Sequence, residues 1–175
     1  KDVKALIQTA EQNGYQLKVL KAVEEVNENQ KQILFNKLER KFDNLSGKVI
    51  AIWGLSFKPN TDDMREAPSL VLIDKLINAG CKVRVFDPVA VHETQKSLER
   101  MGLGNSDAIY FANDIYDATL DADALLLVTE WKEFRMPSWA VVKKSMKGNL
   151  ILDGRNIYDK SEMIELGFNY DCIGG

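Results

Sequence analysis

Apolar residues recur along this chain with two different periods, and the change from one to the other falls near residue 45. From Val3 to about Phe42 the spacing is helical: Val3, Leu6, Ile7 and Ala10, a break at Gly14, then Leu20, Val23, Val26, Ile33, Leu34 and Leu38. The pattern predicts a short helix ending near Asn13 and a long one starting near Gln16, roughly 25 residues and about 37 Å in length. Its polar middle, Asn27-Glu28-Asn29-Gln30, is suited to water or to a partner's polar groups. Two readings are open for such a helix. It packs along its own domain, or it connects two domains and also packs against a second subunit.

Beyond the polar hinge Asp43-Asn44-Leu45-Ser46-Gly47, short apolar runs alternate with helical patterns. Strands are predicted near 48–53, 82–86, 108–111, 124–128, 149–152 and 168–171, and helices near 67–79, 88–101, 114–119, 137–145 and 160–166. Alternation with short connections implies right-handed crossovers and a parallel sheet. The expected fold is therefore α/β, a doubly wound, Rossmann-like parallel sheet of about six strands preceded by a long connecting helix. Residues 1–45 form the helical segment and residues 46–175 the sheet domain. If the strand order is 3-2-1-4-5-6, the ligand crevice lies at the carboxyl ends of strands 1, 4 and 5.

Composition narrows the function classes. The 175 residues are 45% hydrophobic and 28% charged with a formal net charge of −3, which suits a soluble globular protein and argues against a nucleic-acid surface. No apolar run approaches the ~20 residues that span a bilayer, and no signal-peptide pattern opens the chain, so a cytoplasmic home without membrane contact is expected. Cys81 and Cys172 are the only cysteines and His92 the sole histidine. A clustered metal site is not expected, and the two thiols read as free and reduced. There is no internal repeat or low-complexity tract. The chain opens with Lys inside a helical pattern, which reads as a piece of a longer protein.

The chemistry gathers at the end of the first strand. Val49 to Trp53 is apolar on both faces, as an inner strand of a parallel sheet should be. Gly54 permits the turn that follows, the loop collects Lys58, Asp62, Asp63 and Arg65, and Ala67-Pro68-Ser69 opens a helix with Pro in its first turn. Lys58 can swing over the strand ends as a point charge for a diphosphate or a sugar hydroxyl, or remain an exposed loop lysine. Arg65 can fork onto phosphate oxygens, or pair with Asp62, Asp63 or Glu66. Gly154 places Arg155 just beyond the fifth strand. Asp87-Pro88 ends the second strand where an acidic residue holds a ribose in dinucleotide folds, but no Gly-rich loop follows the first strand, so a cap on the next helix is the better reading. Gly102-Leu103-Gly104-Asn105-Ser106-Asp107 imitates a dinucleotide fingerprint but follows a helix and ends in Asp, the wrong context. Trp131 and Trp139 could stack on a base, but large aromatics in such folds usually fill the core or a subunit contact, and His92 has no visible partner for base work.

Gly54-Leu55-Ser56-Phe57-Lys58-Pro59-Asn60-Thr61-Asp62-Asp63-Met64-Arg65-Glu66-Ala67-Pro68 resembles the C-terminal, nucleotide-sugar-binding domain of the UDP-glucose/GDP-mannose dehydrogenases. Val85-Phe86-Asp87-Pro88, Thr129-Glu130-Trp131 and Asp153-Gly154-Arg155-Asn156 fall where that family has similar words, so the resemblance covers essentially the whole chain. It implies that Phe57, Lys58 and Arg155 contact a UDP-sugar substrate and that Arg65 faces the NAD cofactor. It implies an NAD site mainly in an upstream domain, and a homodimer through the long helix. Lys1-Asp2-Val3-Lys4 reads like the continuation of the family's Cys-Phe-Pro-Lys-Asp, which puts the catalytic cysteine three residues before Lys1. Asp2 would then be the family's acidic residue, the one catalytic group of that apparatus within this chain, for help with water or proton transfer, and this chain alone would be inactive. The alternatives are a dehydrogenase for a UDP-N-acetyl sugar or GDP-mannose, or a non-catalytic nucleotide-binding or dimerising module. Without the resemblance, an Asp in a first helical turn serves the helix dipole.

Overall fold

The computed structural model describes residues 2–104 and 106–174, and the side chain of Asp2, the expected catalytic acid, lies outside what it describes. Six strands form one parallel sheet: β1 (Val49–Trp53), β2 (Lys82–Phe86), β3 (Ile109–Phe111), β4 (Ala124–Leu127), β5 (Leu150–Asp153) and β6 (Asn169–Cys172). Their order across the sheet is β3-β2-β1-β4-β5-β6, the doubly wound order on which the position of the crevice was conditional. In register, Ile52 of β1 lies between Val85 of β2 and Leu126 of β4.

Alternate residues of the inner strands face opposite layers, and both layers are covered. Ile50, Ile52, Val83, Val85 and Leu126 pack under α3 (Ile33–Glu39), α4 (Pro68–Asn78) and α5 (Val91–Arg100). Ala51, Trp53, Leu125, Leu127 and Ile151 pack under α6 (Ile115–Thr119), α7 (Trp139–Ser145) and α8 (Lys160–Glu165). This two-sided burial is why β1, β4 and β5 read as apolar runs, while β2, Lys82-Val83-Arg84-Val85-Phe86, alternates. The second layer is rich in aromatics: Trp53 stacks on Phe134 at 5.4 Å and near Trp139 at 6.3 Å, and Trp139 meets Tyr158 edge-on at 4.9 Å. Trp139 is thus partly buried, packed against this core.

The amino-terminal segment departs from expectation. The single long helix is two: α2 (Lys18–Gln30) and α3, after α1 (Asp2–Gln12). The backbone stays near helical at Lys31 and Gln32, but Gln32 N bonds to Asn29 O, three residues back, while Lys31 N to Asn27 O is stretched to 3.4 Å. One tightened turn separates the two helices. The two halves then have different surroundings. α3 buries Leu34, Phe35 and Leu38 against the sheet domain, whereas α2 has no buried residue. α1 runs antiparallel to α2, as Lys4 pairs with Glu24 and Glu28 while Glu11 pairs with Lys21.

Candidate functional site

Two glycines allow the chain to turn at the carboxyl ends of the central strands. Gly54 has φ of 86°, and a Cβ there would sit 2.6 Å from the Thr129 backbone. A Cβ on Gly154 would come within 2.7 Å of Leu127 O. Any side chain at either point would wedge the β1, β4 and β5 loops apart.

Each loop is then held by a buried carboxylate. Asp87, 2% exposed, accepts from Leu55 N (2.7 Å), Ser56 N (3.1 Å) and Trp131 Nε1 (3.0 Å) through Oδ2, and from Val89 N and Ala90 N through Oδ1. It therefore clamps three loops together rather than capping α5, which begins only at Val91. Asp153, fully buried, accepts from Arg155 N and Asn156 N at 2.8 Å through Oδ1, and from Ile157 N, Tyr158 N and the Tyr170 hydroxyl through Oδ2. Burial and the bond to Asp153 push the Tyr170 phenol well up, so it stays a donor. Buried carboxylates this fully satisfied make rigid loops.

On this frame Phe57, Lys58 and Arg155 line one cleft of about 650 Å³, whose far wall is built by Lys4 of α1, Glu24 of α2 and Lys31 just after α2. Arg155 donates from Nε to Val128 O at 2.7 Å and from Nη2 toward Phe57 O at 3.4 Å, leaving the rest of its fork for a ligand. Glu130 Oε2 stands 2.9 Å from Arg155 Nε, yet that N–H is spent on Val128, so the oxygen accepts no hydrogen bond among the described residues. Lys4 and Lys31 are each committed to glutamates. Among the described residues no carboxylate pairs with Lys58, which is exposed at the cleft mouth as a free cation.

Arg65 stands apart from this group. It is 72% exposed and forks onto Asp63, Nε to Oδ1 at 2.8 Å and Nη2 to Oδ2 at 2.5 Å, which holds the Asp63 carboxyl well below the usual range. It lines a separate open depression with Thr61, Asp62, Glu93 and Arg100. Cys81 lies at the opposite end of β2, buried, and its thiol is pushed up to about 11, chiefly by burial. It is unsuited to act as a nucleophile.

The crevice itself does not fit a dinucleotide in the usual mode. The β1 loop lacks the glycines, and Asp87 has both oxygens committed to protein donors, with none left for a ribose. What fits is an anionic ligand resting on Lys58 and Arg155, with Phe57 exposed beside them. Residues 51–160 match the model of the UDP-glucose/GDP-mannose dehydrogenase family, UDP binding domain. The chain belongs to that family. It is 46% identical over 181 residues to a UDP-glucose 6-dehydrogenase of Pseudomonas aeruginosa and 37% identical over 174 residues to one of Bacillus subtilis, each match covering 99% of this chain. It spans only 38% of the length of those two relatives. The fold is similar to that of a UDP-glucose dehydrogenase from Pyrobaculum islandicum, with TM-score 0.77, 27% identity, and coverage of 92% of this chain and 34% of that one. It is also similar to a GDP-mannose dehydrogenase from Pseudomonas aeruginosa, with TM-score 0.65, 28% identity, and coverage of 87% and 34%.

Reading of the sequence missed Glu130, Glu66, Lys4 and Lys31 as cleft residues. Glu28 and Lys31 stand three apart and were visible as a helical pair. Glu66 is 62 positions from Lys4 and 35 from Lys31, so nothing local announced it.

Proposed function

We propose that this chain is the nucleotide-sugar-binding part of an NAD-dependent UDP-glucose 6-dehydrogenase, which oxidises the C6 alcohol of UDP-glucose to the carboxylate of UDP-glucuronate in two hydride transfers. The observation that carries the reading is the convergence of Phe57, Lys58 and Arg155 on one cleft at the ends of β1, β4 and β5. Lys58 neutralises the diphosphate as a point charge, the free edge of Arg155 donates to phosphate or sugar oxygens, and Phe57 covers the ligand. The name UDP-glucose 6-dehydrogenase carried by both relatives above supports the choice of sugar.

NAD belongs mainly to the remainder of the protein, with Arg65 reaching it from the outer face of the β1–α4 loop. Asp2 assists proton transfer beside an upstream cysteine that holds the aldehyde as a thiohemiacetal and, after the second hydride leaves, as a thioester that water cleaves. Residues 1–45 are the inter-domain and dimerisation segment, and residues 46–175 the nucleotide-sugar domain. Exposed Leu6, Val19, Val23 and Val26 on α1 and α2 form the face that a second copy covers. No helix among the described residues is long and apolar enough to cross a membrane, and the reading includes a cytoplasmic enzyme that supplies an acidic sugar for polysaccharide synthesis.

The test is NADH absorbance with the full-length protein and UDP-glucose, UDP-N-acetylglucosamine, UDP-N-acetylmannosamine and GDP-mannose offered separately. Two NADH per UDP-glucose supports the reading, and turnover of another sugar retains the family and changes the substrate. A second reading, a dehydrogenase of another nucleotide sugar, is favoured by the similarity of the fold to a UDP-D-ManNAc dehydrogenase of Pyrococcus horikoshii, at TM-score 0.64 and 27% identity. On this chain, Lys58→Ala and Arg155→Ala should each weaken UDP binding by about tenfold, the equivalent of one charge-assisted bond. Unchanged affinity in calorimetry would remove the cleft from the proposal.

A further inference from the structure

Five charged side chains from three separate segments meet beside the cleft, and four of them, Lys4, Glu24, Lys31 and Glu66, line its wall. Lys4 of α1 contacts Glu24, Glu28 and Glu66 at 3.0 Å, and Lys31, just after α2, contacts Glu28 at 3.0 Å and Glu66 at 2.5 Å. Glu66 is the only member from the sheet domain, and it is the last residue of the β1–α4 loop before the N-cap Ala67. That loop presents Lys58 and Phe57 to the cleft. It is tied at its start by Phe57 N to Asp63 O at 2.8 Å and by the Asp87 clamp. Its end is tied to α1 and α2 through Glu66.

The backbone bears the mark of this attachment. Glu66 has φ of 61°, a conformation disfavoured for a residue with a Cβ and held only where surroundings over-determine it. Consecutive side chains then diverge: Glu66 lines the cleft, and Arg65 lines the outer depression. Lys31 is only 12% exposed, so its ammonium has little alternative to these carboxylates. The ion pairs hold Glu66 well below the usual carboxylate range, at about 2, so it is charged at neutral pH.

We infer that Glu66, gripped by Lys4 and Lys31, is a positioning residue that locks the Lys58 loop against the helical segment and thereby sets the affinity of the cleft for a nucleoside diphosphate. The inference rests on the reading of the cleft as the nucleotide site. The sign of the effect separates positioning from simple charge. Glu66 is an anion in a site for an anionic ligand, so if charge alone mattered, its removal would strengthen binding. If it positions the loop, its removal weakens binding.

The experiment is calorimetric titration of this chain with UDP for wild type, Glu66→Gln, Glu66→Gly, Lys31→Gln, Lys31→Arg and the double variant Glu66→Gln/Lys31→Gln, with the unfolding midpoint of each. Glu66→Gly removes the same charge while relieving the left-handed backbone, so a loss of affinity in it without a lower midpoint is not a loss of folding. The expected result is that Glu66→Gln and Glu66→Gly each weaken UDP binding at least fivefold, that Lys31→Arg retains it, and that the double variant is no worse than the worse single. Tighter binding in the Glu66 variants, or additive effects of Glu66→Gln and Lys31→Gln, overturns the inference. Wild type that binds no UDP removes the cleft reading, and this inference with it.

Discussion

Trp53 in β1 and Val23 in α2 are both large apolar residues on regular elements, yet Trp53 has no exposed surface while Val23 is 43% exposed. The difference extends to their regions. The sheet domain is held by two apolar layers and by fully buried carboxylates that saturate their loops. The α1–α2 pair has no residue of α2 buried, and its recorded cross-links are ion pairs between partly exposed side chains. Exposed pairs of this kind contribute little individually, ~0–1 kcal/mol each. The cleft is therefore built from a rigid half, which carries Lys58 and Arg155, and a half whose position rests on charge.

The largest effect should come from the rigid half. Trp53 stacks on Phe134, lies near Trp139 and donates from Nε1 to Ile115 O at 3.0 Å, so Trp53→Ala removes a core aromatic together with its hydrogen bond to the start of α6. The expected cost is about 3–5 kcal/mol of unfolding free energy, measured by chemical denaturation. A loss below ~1 kcal/mol would mean the layer collapses around the gap, and the contrast between the halves would be weaker than the burial suggests.

The same contrast explains what the sequence could show. Every strand was placed within one or two residues, most plainly β1, β4 and β5, because an inner parallel strand buried on both faces is a short apolar run, as in Val49 to Trp53 before Gly54. The parallel sheet followed from the alternation, whereas the strand order was an assumption taken from the dinucleotide fold, and the sheet has that order. The helical segment was misjudged because Val23, Val26, Ile33, Leu34 and Leu38 keep a helical spacing through Lys31 and Gln32, with no Pro or Gly to mark a break. The tightened turn coincides with a tertiary pair, Lys31 to Glu66, that no local pattern contains. At the cleft, the positions of Lys58 and Arg155 were legible from family words at strand ends, whereas Glu66 and Glu130 meet partners that lie far away in sequence. Asp87 was read as a cap because only its neighbours in sequence were visible, and its bonds to Leu55, Ser56 and Trp131 come from the folded chain.

A smaller effect should appear when the charged half is titrated. Ion pairing with Lys31 and Lys4 lowers the Glu66 carboxyl from its usual 4.5 to about 2, and the same two lysines lower Glu28. A carboxyl with a depressed folded value contributes stability that is fully present above 4.5 and lost as pH falls through about 2. Lowering the pH across that window should therefore release α1 and α2 from the β1–α4 loop. Hydrogen exchange of the amides in α1 and α2 should accelerate in that window before those of β1 and β4, and raised salt at neutral pH should have a weaker effect in the same direction. Simultaneous loss of protection in both regions would show that the α1–α2 pair is as firmly integrated as the sheet.

The smallest effect on the folded monomer should come from Val23→Lys. Val23 lies with Val19 and Val26 on the outward side of α2, 43%, 76% and 57% exposed, so a lysine there displaces nothing and slightly favours the helix. The unfolding free energy of the monomer should move by less than about 0.5 kcal/mol. Self-association is the sensitive readout, since a charge in the middle of an apolar stripe would have to be buried by a second copy. Sedimentation should show the wild-type chain associating and Val23→Lys shifted to monomer at the same concentration. If the substitution instead costs as much as Trp53→Ala with no change in association, α2 packs on its own domain, and the division of the cleft into a rigid half and a charge-held half fails at its simplest point.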